Sequence, residues 1–519
     1  MLPQWLTAFA GLGTIYLGMV VISFILFFRY YYNISQPLTG TVEWIFRSIS
    51  DKEWNILRSR YFMKKSDGFP IFIIATIFIT LAFGNNFGAD ALDYSGGVMT
   101  RIRFFDDIPN PPILTNPPLG YLINSFSYSI FGETPLGGGF IKAAFGIFLL
   151  VVMYIVIKTF FGKTVVAVCG TLLLGFDFMR FVESGVHSTS TALSSSEVVI
   201  AATFILLSFL FMYRYFTTDK DAPLGKNLIP LALSGLFFGL AFSTVWAAFY
   251  FGFGLLGIFI VRLIGMRGHY RVKYPKEGVF KAYLIKILLI SALFFVVIPI
   301  VIYIVTYILY GMAYDVSMSF GDIISAHRVM LSPPRSLLVE TGSSQEIMFY
   351  TLSQHSILQA IFNVRPEIIQ ESFTETSRSM VMLLGNPVVW WGGFLAIIAM
   401  IYRVFRQRDI RALIILIGYL GTLLPWIIWI GRERINFFEG HLLSLYLLSV
   451  PFLVLALSHI FNTVISRGMK RSRQAVYLFT GGAGAAFAMF YPALIGLYMP
   501  LWFFHDFLSW LPGRWPFRL

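Results

Sequence analysis

The chain has 519 residues, of which 57% are hydrophobic and 13% are charged, and its mean hydropathy is +0.74. Soluble domains carry about 25% charged residues, so this composition excludes a water-soluble globular protein. The single cysteine, Cys169, excludes a disulfide framework and a cysteine-based metal site. A net charge of +13 would suggest nucleic-acid binding in a soluble protein, whereas in a membrane protein it indicates basic cytoplasmic loops. No nucleic-acid partner is predicted.

Apolar runs of the length that crosses a bilayer, roughly 20 residues per helix, recur along the chain. Twelve runs are predicted to span the membrane: 7–28, 69–84, 138–157, 164–178, 192–212, 228–242, 244–261, 283–310, 384–402, 411–430, 441–460 and 475–499. The first is not read as a cleavable signal peptide, because it lacks a basic leading region and ends in Arg29 and tyrosines. The predicted fold class is an all-α polytopic membrane protein with about 12 transmembrane helices.

Basic residues collect in alternate connections between these runs. The basic connections are 33–68, 158–163, 214–226, 262–286, 403–411 and 467–473. The intervening segments are longer or more acidic: 85–137, 179–190 and 311–383. Cytoplasmic loops carry the excess of Lys and Arg, so the first set is predicted to be cytoplasmic and the second external. The chain is expected to be a multi-pass protein of the cell membrane with both termini outside.

The first external segment concentrates charge beside the membrane. It carries four carboxylates and two arginines: Asp90, Asp93, Arg101, Arg103, Asp106 and Asp107. A carboxylate beside a low-dielectric wall is suited to accept a proton near neutral pH, and arginine offers a rigid charged fork for phosphate. The alternative is that these charges only solvate a loop. The turn Asn116-Pro117-Pro118-Leu119 weakens that alternative, because it holds the segment against the bilayer.

Two further clusters lie at predicted external ends of helices. The second cluster contains Asp177, Arg180, Glu183, His187 and Glu197. Each charge costs about 2.5–3.5 kcal/mol at the bilayer centre on insertion scales, so these groups face a cavity, with interfacial snorkelling as the alternative. The third is a short turn containing Arg432, Glu433, Arg434, Glu439 and His441. Arginines are unusual in such a turn, and they either grip an anionic lipid head or pair with the neighbouring glutamates.

Carboxylates and arginines on one surface suit transfer of a group from a lipid phosphate, and several motifs then point to one family. The motifs, in chain order, are Asp90/Asp93, Phe104-Phe105-Asp106-Asp107, Asn116-Pro117-Pro118-Leu119, Phe176-Asp177 with Glu183-Ser184-Gly185, Gly239-Leu240-Ala241-Phe242-Ser243 through Trp246, Gly385-Asn386-Pro387, Leu424-Pro425-Trp426, and Arg434 through His441. From about residue 69 onward, this order resembles the protein O-mannosyltransferases, GT-C glycosyltransferases that use polyprenyl-phosphate sugars. The resemblance implies a GT-C fold.

The sequence departs from the family pattern at identifiable positions. The adjacent Asp-Glu pair of the family is here Asp93 followed by Tyr94, so the base is either Asp93 or Asp90. Gly185 stands where the family has an Arg, with His187 nearby, and Val245 stands before the Trp where the family has Lys. Segment 311–383 is too short for the luminal domain inserted in eukaryotic members. The resemblance is therefore to the prokaryotic type.

The resemblance implies an inverting enzyme that moves a hexose, mannose in the first place, from a polyprenyl or dolichyl phosphate to Ser/Thr of exported proteins. Asp93 is the predicted general base, with Asp90 as the alternative. Arg434, with Arg101 or Arg103, is predicted to bind the donor phosphate. Acceptor or metal positioning, including a possible divalent cation, is assigned to Asp106, Asp107, Asp177, Glu183 and His187. The motif residues without a separate role are Asn116, Pro117, Pro118, Trp246 and His441.

Four regions follow from this interpretation. Residues 1–68 form an additional N-terminal helix and a cytoplasmic loop, and residues 69–310 form the catalytic membrane core. Residues 311–383 form an external loop, in which His327, Arg328 and His355 are expected to cover the acceptor groove. Residues 384–519 form a C-terminal region of four membrane helices. Membrane lipids are the expected surroundings.

Two alternatives stay open at this level. One is a GT-C transferase that glycosylates a lipid, such as a lipid A-modifying enzyme. The other is a transporter, although transporters usually place ionisable groups near mid-bilayer and show repeated halves. Here the polar groups crowd one surface and no repeat is visible, which favours the transferase.

Overall fold

The computed structural model describes most of the predicted membrane bundle and parts of its connections. The described residues are 65–83, 116–132, 135–185, 197–221, 224–273, 277–313, 318–331, 362–363, 366–429, 445–468, 471–504 and 508. The predicted helix 7–28 and most of the first external segment lie outside them. The division of the chain at residue 68 therefore stays a prediction.

Helices form at the predicted apolar runs within this part of the chain. Three further helices, Leu119–Phe131, Phe178–Glu183 and Phe320–Leu331, lie in or next to segments that were predicted as external connections. The first half of the bundle contains α1 (Gly68–Phe83), α2 (Leu119–Phe131), α3 (Pro135–Phe161), α4 (Thr164–Gly175), α5 (Phe178–Glu183), α6 (Glu197–Thr217) and α7 (Leu224–Phe242). The second half contains α8 (Ala248–Lys273), α9 (Glu277–Ala292), α10 (Ile298–Ala313), α11 (Phe320–Leu331), α12 (Pro387–Tyr402), α13 (Ile410–Trp429), α14 (Val450–Ser466) and α15 (Ser472–Leu494). A π-helical stretch, Leu293–Val297, joins α9 to α10 into one continuous helix.

The helices have the length and composition of membrane spans. Among the described residues, six helical segments are long and apolar enough to cross a membrane, and four shorter apolar helices accompany them. The predicted polytopic membrane fold is therefore confirmed. The count of twelve spans stays a prediction.

α6 lies at the centre of the bundle, and the α9–α10 helix lies at its edge. The apolar window of α6 is 89% buried, whereas that of the α9–α10 helix is 17% buried. Ser208 of α6 and Ser234 of α7 each donate a hydroxyl hydrogen bond of 2.9 Å to the other's backbone carbonyl. Small polar residues allow close approach of membrane helices in this way. The outward apolar face of α9–α10 is suited to contact lipid.

The bundle has two ends, named here after Asp67 and Asp177. At the Asp67 end, Asp67 pairs with Lys158 at 2.8 Å, and both side chains are almost fully buried. Helices α3, α6, α8, α12 and α14 end on this side, so the described parts of the basic connections meet there. The described parts of the predicted basic connections thus lie on one side of the bundle.

A second ion-pair group ties three helices together at the Asp67 end. Asp409, in the turn before α13, lies 2.8 Å from Arg403 and 3.1 Å from His459 of α14. Arg403 also donates to the hydroxyl of Thr463 at 3.2 Å. These contacts hold α12, α13 and α14 in register.

A small antiparallel sheet at the Asp177 end was not predicted from the sequence. Its strands are β1 (Glu367–Phe373), β2 (Ser377–Leu383) and β3 (Met499–Pro500), in the order β1-β2-β3. Arg378 of β2 is 1% exposed and lies over the rings of Phe373 and Phe504 at 5.2 and 5.5 Å. The sheet occupies part of the predicted external loop 311–383 and brings that loop next to the end of α15.

Candidate functional site

The break between α4 and α5 positions Asp177, one of the predicted site residues that the structure describes. Its carboxylate caps α5 by accepting the backbone N–H of Arg180 at 3.0 Å. Its other oxygen accepts the indole N–H of Trp390 at 2.7 Å and the backbone N–H of Asn386 at 3.3 Å. Both oxygens are thus engaged by the chain itself. In this geometry Asp177 holds α5 and the start of α12 together.

Asn386 completes this junction from the α12 side. Its side-chain oxygen accepts the N–H of Val388 at 3.0 Å, so it caps α12. Its amide group donates to the carbonyls of Phe176 and Ala483, each at 2.9 Å. One side chain therefore joins α4, α12 and α15. These contacts give Asn386 of the Gly385-Asn386-Pro387 motif a structural role.

Arg180 is buried and closes the end of α4. Its guanidinium donates to the carbonyl of Gly175 at 2.7 Å and lies 4.9 Å from the centre of the Phe78 ring. A cation at the C-terminus of a helix is favoured by the helix dipole. These contacts direct Arg180 into the bundle.

Three charged side chains form a buried cluster on the side of α5 that faces α3 and α6. Glu183 is 1% exposed, Glu197 is 5% exposed and Lys142 is 7% exposed. Lys142 interacts electrostatically with both carboxylates. Buried charges in a membrane bundle are costly and mark functional positions. We name Lys142, Glu183 and Glu197 the charged cluster.

The predicted Asn-Pro-Pro turn lies directly on this cluster. The side chain of Asn116 donates a hydrogen bond to Glu197, and Pro117 and Pro118 are buried. The backbone N–H of Leu119 donates to the carbonyl of Ser243 at 3.1 Å. The structure therefore brings together the Asn-Pro-Pro turn, Glu197 and the Ser243 segment, which are far apart in the sequence.

An aromatic cluster surrounds Trp246 at the same end of the bundle. The ring of His327 lies 5.5 Å from the Trp246 ring in an edge arrangement, and 5.5 Å from the ring of Tyr307 in a stacked one. The Tyr303 hydroxyl lies 2.8 Å from Nε2 of His327 and 3.2 Å from the Tyr307 hydroxyl. Since a carbonyl oxygen can only accept, Nδ1 of His327 donates to the carbonyl of Ile323. The contact joins α11 to α10 and to the Trp246 turn.

All of the predicted catalytic and phosphate-binding residues, and four of the other predicted site residues, lie outside the described residues. These are Asp90, Asp93, Arg101, Arg103, Asp106, Asp107, His187, Arg434 and His441. Their roles stay predictions. In the described part of the chain, no group of three or more His, Cys, Asp or Glu could hold a metal ion.

Sequence reasoning did not single out Lys142, and it named Asn386 only as part of the Gly385-Asn386-Pro387 motif, without a role. Lys142 stands alone in the apolar run 138–157, and this isolation is the signal that could have identified it, since a lone charge in a span needs a partner. Trp390 and Asn386 carried no signal of a contact with Asp177, which is more than 200 residues away.

The fold defines the class of protein. The bundle is similar to a chain of the S. cerevisiae protein O-mannosyltransferase Pmt1-Pmt2 complex bound to the sugar donor, with a TM-score of 0.57 and 12% sequence identity. The match covers 89% of this chain and 94% of that chain. The predicted GT-C fold is thereby confirmed.

The sequence comparisons identify the family that the chain resembles. Residues 112–313 match the family model described as dolichyl-phosphate-mannose-protein mannosyltransferase. The polyprenol-phosphate-mannose–protein mannosyltransferase of Mycolicibacterium smegmatis is 22% identical over 439 residues, which are 76% of this chain and 80% of the relative. The protein of the same name from Corynebacterium glutamicum is 24% identical over 443 residues, 78% of this chain and 82% of the relative. The resemblance to protein O-mannosyltransferases that the motifs indicated is confirmed.

Proposed function

We propose that this protein is an integral-membrane inverting mannosyltransferase that transfers mannose from a polyprenyl phosphate to Ser or Thr hydroxyls of exported proteins. The observation that carries the proposal is the family match over residues 112–313, which runs from the Asn-Pro-Pro turn through the charged cluster to the end of α10. The names of the bacterial relatives support the donor and the acceptor class.

The proposed orientation follows from the charge of the two ends. The described parts of the basic connections meet at the Asp67 end, and basic loops face the cytoplasm. The Asp177 end, with the charged cluster and the aromatic cluster, would then face outward. A transferase in the cell membrane with this orientation meets exported acceptors after they cross the bilayer.

The chemistry needs one base and one phosphate-binding group. The acceptor hydroxyl oxygen attacks the anomeric carbon of mannose, the bond from that carbon to the phosphate oxygen breaks, and the polyprenyl phosphate leaves. Asp93, or Asp90 in the alternative assignment, takes the hydroxyl proton, a role worth about 10²–10⁴ in rate. Arg434 with Arg101 or Arg103 holds the phosphate through charge-assisted hydrogen bonds. Asp106 or Asp107 positions the acceptor or a cation.

The test uses the full-length protein in lipid nanodiscs with polyprenyl-phosphate mannose and a Ser/Thr-rich peptide. We expect wild-type protein to form mannosyl peptide, and we expect Asp93→Asn to lose transfer while binding the donor as before. Asp90→Asn is the matched variant, and loss of transfer there alone would move the base to Asp90. Full activity of both variants would remove these carboxylates from the role.

A second arm of the same assay tests the acceptor class. The peptide is replaced by a lipid acceptor, lipid A, at the same donor concentration. Mannosyl transfer to lipid A and none to peptide would overturn the protein acceptor. Uptake of labelled mannose into sealed proteoliposomes without any covalent product would overturn the transferase itself.

A further inference from the structure

Glu197, the first residue of α6, lies against the Asn-Pro-Pro turn, which connects the first external segment to α2. Its carboxylate accepts a hydrogen bond from the side chain of Asn116. Only 5% of Glu197 is exposed, so water does not compete for this contact. On its other side the turn is held by the hydrogen bond from Leu119 to the carbonyl of Ser243, at 3.1 Å. The turn is therefore fixed between α6 and the end of α7.

The approach of Glu197 to α2 is close enough to require glycine at position 120. A Cβ placed on Gly120 would overlap Cγ of Glu197 and would also crowd its Cβ and Cδ. Glycine permits such a close approach because it has no side chain. The Glu197 side chain thus fits against the first turn of α2, and this contact is independent of the hydrogen bond to Asn116.

Lys142 provides the positive charge that this arrangement needs. It is buried on α3 and interacts electrostatically with Glu197 and with Glu183 of α5. A carboxylate removed from water without a nearby cation is strongly unfavourable. Lys142 therefore stabilises Glu197 where it is and connects α3 and α5 to the same turn.

We propose that Glu197 is a positioning residue for glycosyl transfer that acts through Asn116 and Gly120, and that Lys142 holds Glu197 in place. This inference rests on the proposed function. Asn116 directly follows segment 85–115, which carries the predicted base and two of the predicted phosphate-binding arginines. Because Asn116 connects that segment to α2, holding Asn116 in place sets the position of the segment's C-terminal end. Glu197 needs no contact with donor or acceptor to have this effect.

A positioning role has a distinct kinetic signature. Releasing Asn116 displaces the reacting groups without removing any of them, and a displacement of about 1 Å can cost about 10²-fold in rate. The loss falls on kcat, whereas KM for donor and peptide changes little, because Arg434, the first of the predicted phosphate-binding residues, lies outside segment 85–115. A residue that bound the donor directly would instead raise the donor KM.

The first experiment compares Glu197→Ala with Glu197→Gln in the nanodisc assay. We expect Ala to lower kcat by about 30-fold to 100-fold, with both KM values within about threefold of wild type. Gln retains an oxygen that accepts from Asn116, so it should recover most of kcat. Thr203→Val is the matched control on α6, because Thr203 is buried and donates only within its own helix, to the carbonyl of Val199.

The second experiment tests the contact with Gly120 by combining variants. Gly120→Ala alone should lower kcat by about tenfold or more, since the new methyl displaces Glu197. In the Glu197→Ala background the overlapping Cγ is absent, so Gly120→Ala should cause little further loss. Independent, multiplying losses would overturn the contact as the cause.

Rates are divided by the number of donor-binding sites titrated in each preparation, so that misfolded protein does not count as inactive enzyme. Wild-type kcat in Glu197→Ala, or a raised donor KM with unchanged kcat, overturns the positioning role. Absence of transfer by the wild-type protein would instead overturn the proposed function and this inference with it.

Discussion

The indole nitrogen of Trp390 donates a 2.7 Å hydrogen bond to the carboxylate of Asp177, across 213 residues of sequence. This bond joins the α4–α5 break to the start of α12, and both side chains are at most 1% exposed. Charge-assisted hydrogen bonds of this kind are among the stronger contacts in a protein. The arrangement of the Asp177 end therefore depends on it.

Removing either partner should destabilise the protein measurably. We expect Asp177→Asn to lower the free energy of unfolding by about 2–3 kcal/mol. The three donors contact both oxygens of the carboxylate, and an amide has only one oxygen that can accept. Trp390→Phe removes one of these donors and should lower the free energy of unfolding by about 1–3 kcal/mol. The double variant should lose less than the sum of the two single losses, because both variants remove the same contact. The midpoint of thermal unfolding in detergent measures these effects.

The neighbouring tryptophan provides the control for that measurement. Trp391 donates to the backbone carbonyl of Phe362 at 3.0 Å, a neutral acceptor. Trp391→Phe should therefore cost less than Trp390→Phe. If Trp391→Phe lowers the free energy of unfolding as much as Trp390→Phe or more, the hydrogen bond to the Asp177 carboxylate is not the stronger contact.

The predicted phosphate contact of Arg434 has a kinetic consequence. Arg434→Ala should raise the donor KM by about tenfold, the loss expected for one charge-assisted hydrogen bond. At saturating donor, kcat should change by less than about threefold. Arg432→Ala is the matched control two residues away. The same donor KM in Arg434→Ala and wild type would refute the assignment.

The contact between Tyr303 and His327 should affect the acceptor and not the donor. Because the bond fixes α11 against α10, Tyr303→Phe and His327→Ala should each raise the peptide KM by about threefold to tenfold. The double variant should be no worse than the stronger single variant, since both remove one contact. Steady-state kinetics with varied peptide measures this. Ser325→Ala on α11 is the control, and a comparable rise there would argue against the specific contact.

Asp409 makes the stability of the Asp67 end depend on pH. Burial would raise the pKa of the Asp409 carboxyl, but the charges and hydrogen bonds of His459 and Arg403 outweigh burial and hold the pKa well below its usual range. The stabilisation is therefore present above the ordinary carboxyl pKa of about 3.9 and is lost as the pH falls below it. The unfolding midpoint of wild type should fall more steeply than that of Asp409→Asn as the pH is lowered from about 5 to about 3.

The control for the pH experiment is an exposed carboxylate. Glu375 lies exposed between β1 and β2, so Glu375→Gln should keep the pH dependence of wild type. Parallel curves for wild type and Asp409→Asn would show that Asp409 does not carry the effect.

The sequence by itself determined the long apolar helices of the bundle and which of their connections lie at the same end. A bilayer requires long apolar runs for each span, and several runs agree closely with the observed helices, as 69–84 does for Gly68–Phe83 and 138–157 for Pro135–Phe161. The run 244–261 overlaps α8 but ends well before Lys273, the last residue of that helix. The alternation of basic connections grouped 158–163 with 403–411, and the helix directions bring both to the Asp67 end. These properties depend on composition along the chain, which a sequence displays directly.

Only the tertiary structure decided which polar side chains meet. An apolar run shows no preferred face, so the partners of Lys142 could not be identified until α3, α5 and α6 were packed together. The strands β1 and β2 were missed because two short strands in a long loop give little periodic signal. The contacts of Asp177 with Trp390 and of Glu197 with Asn116 join segments distant in sequence, and their energy comes from burial and hydrogen-bond geometry that exist only in the folded bundle.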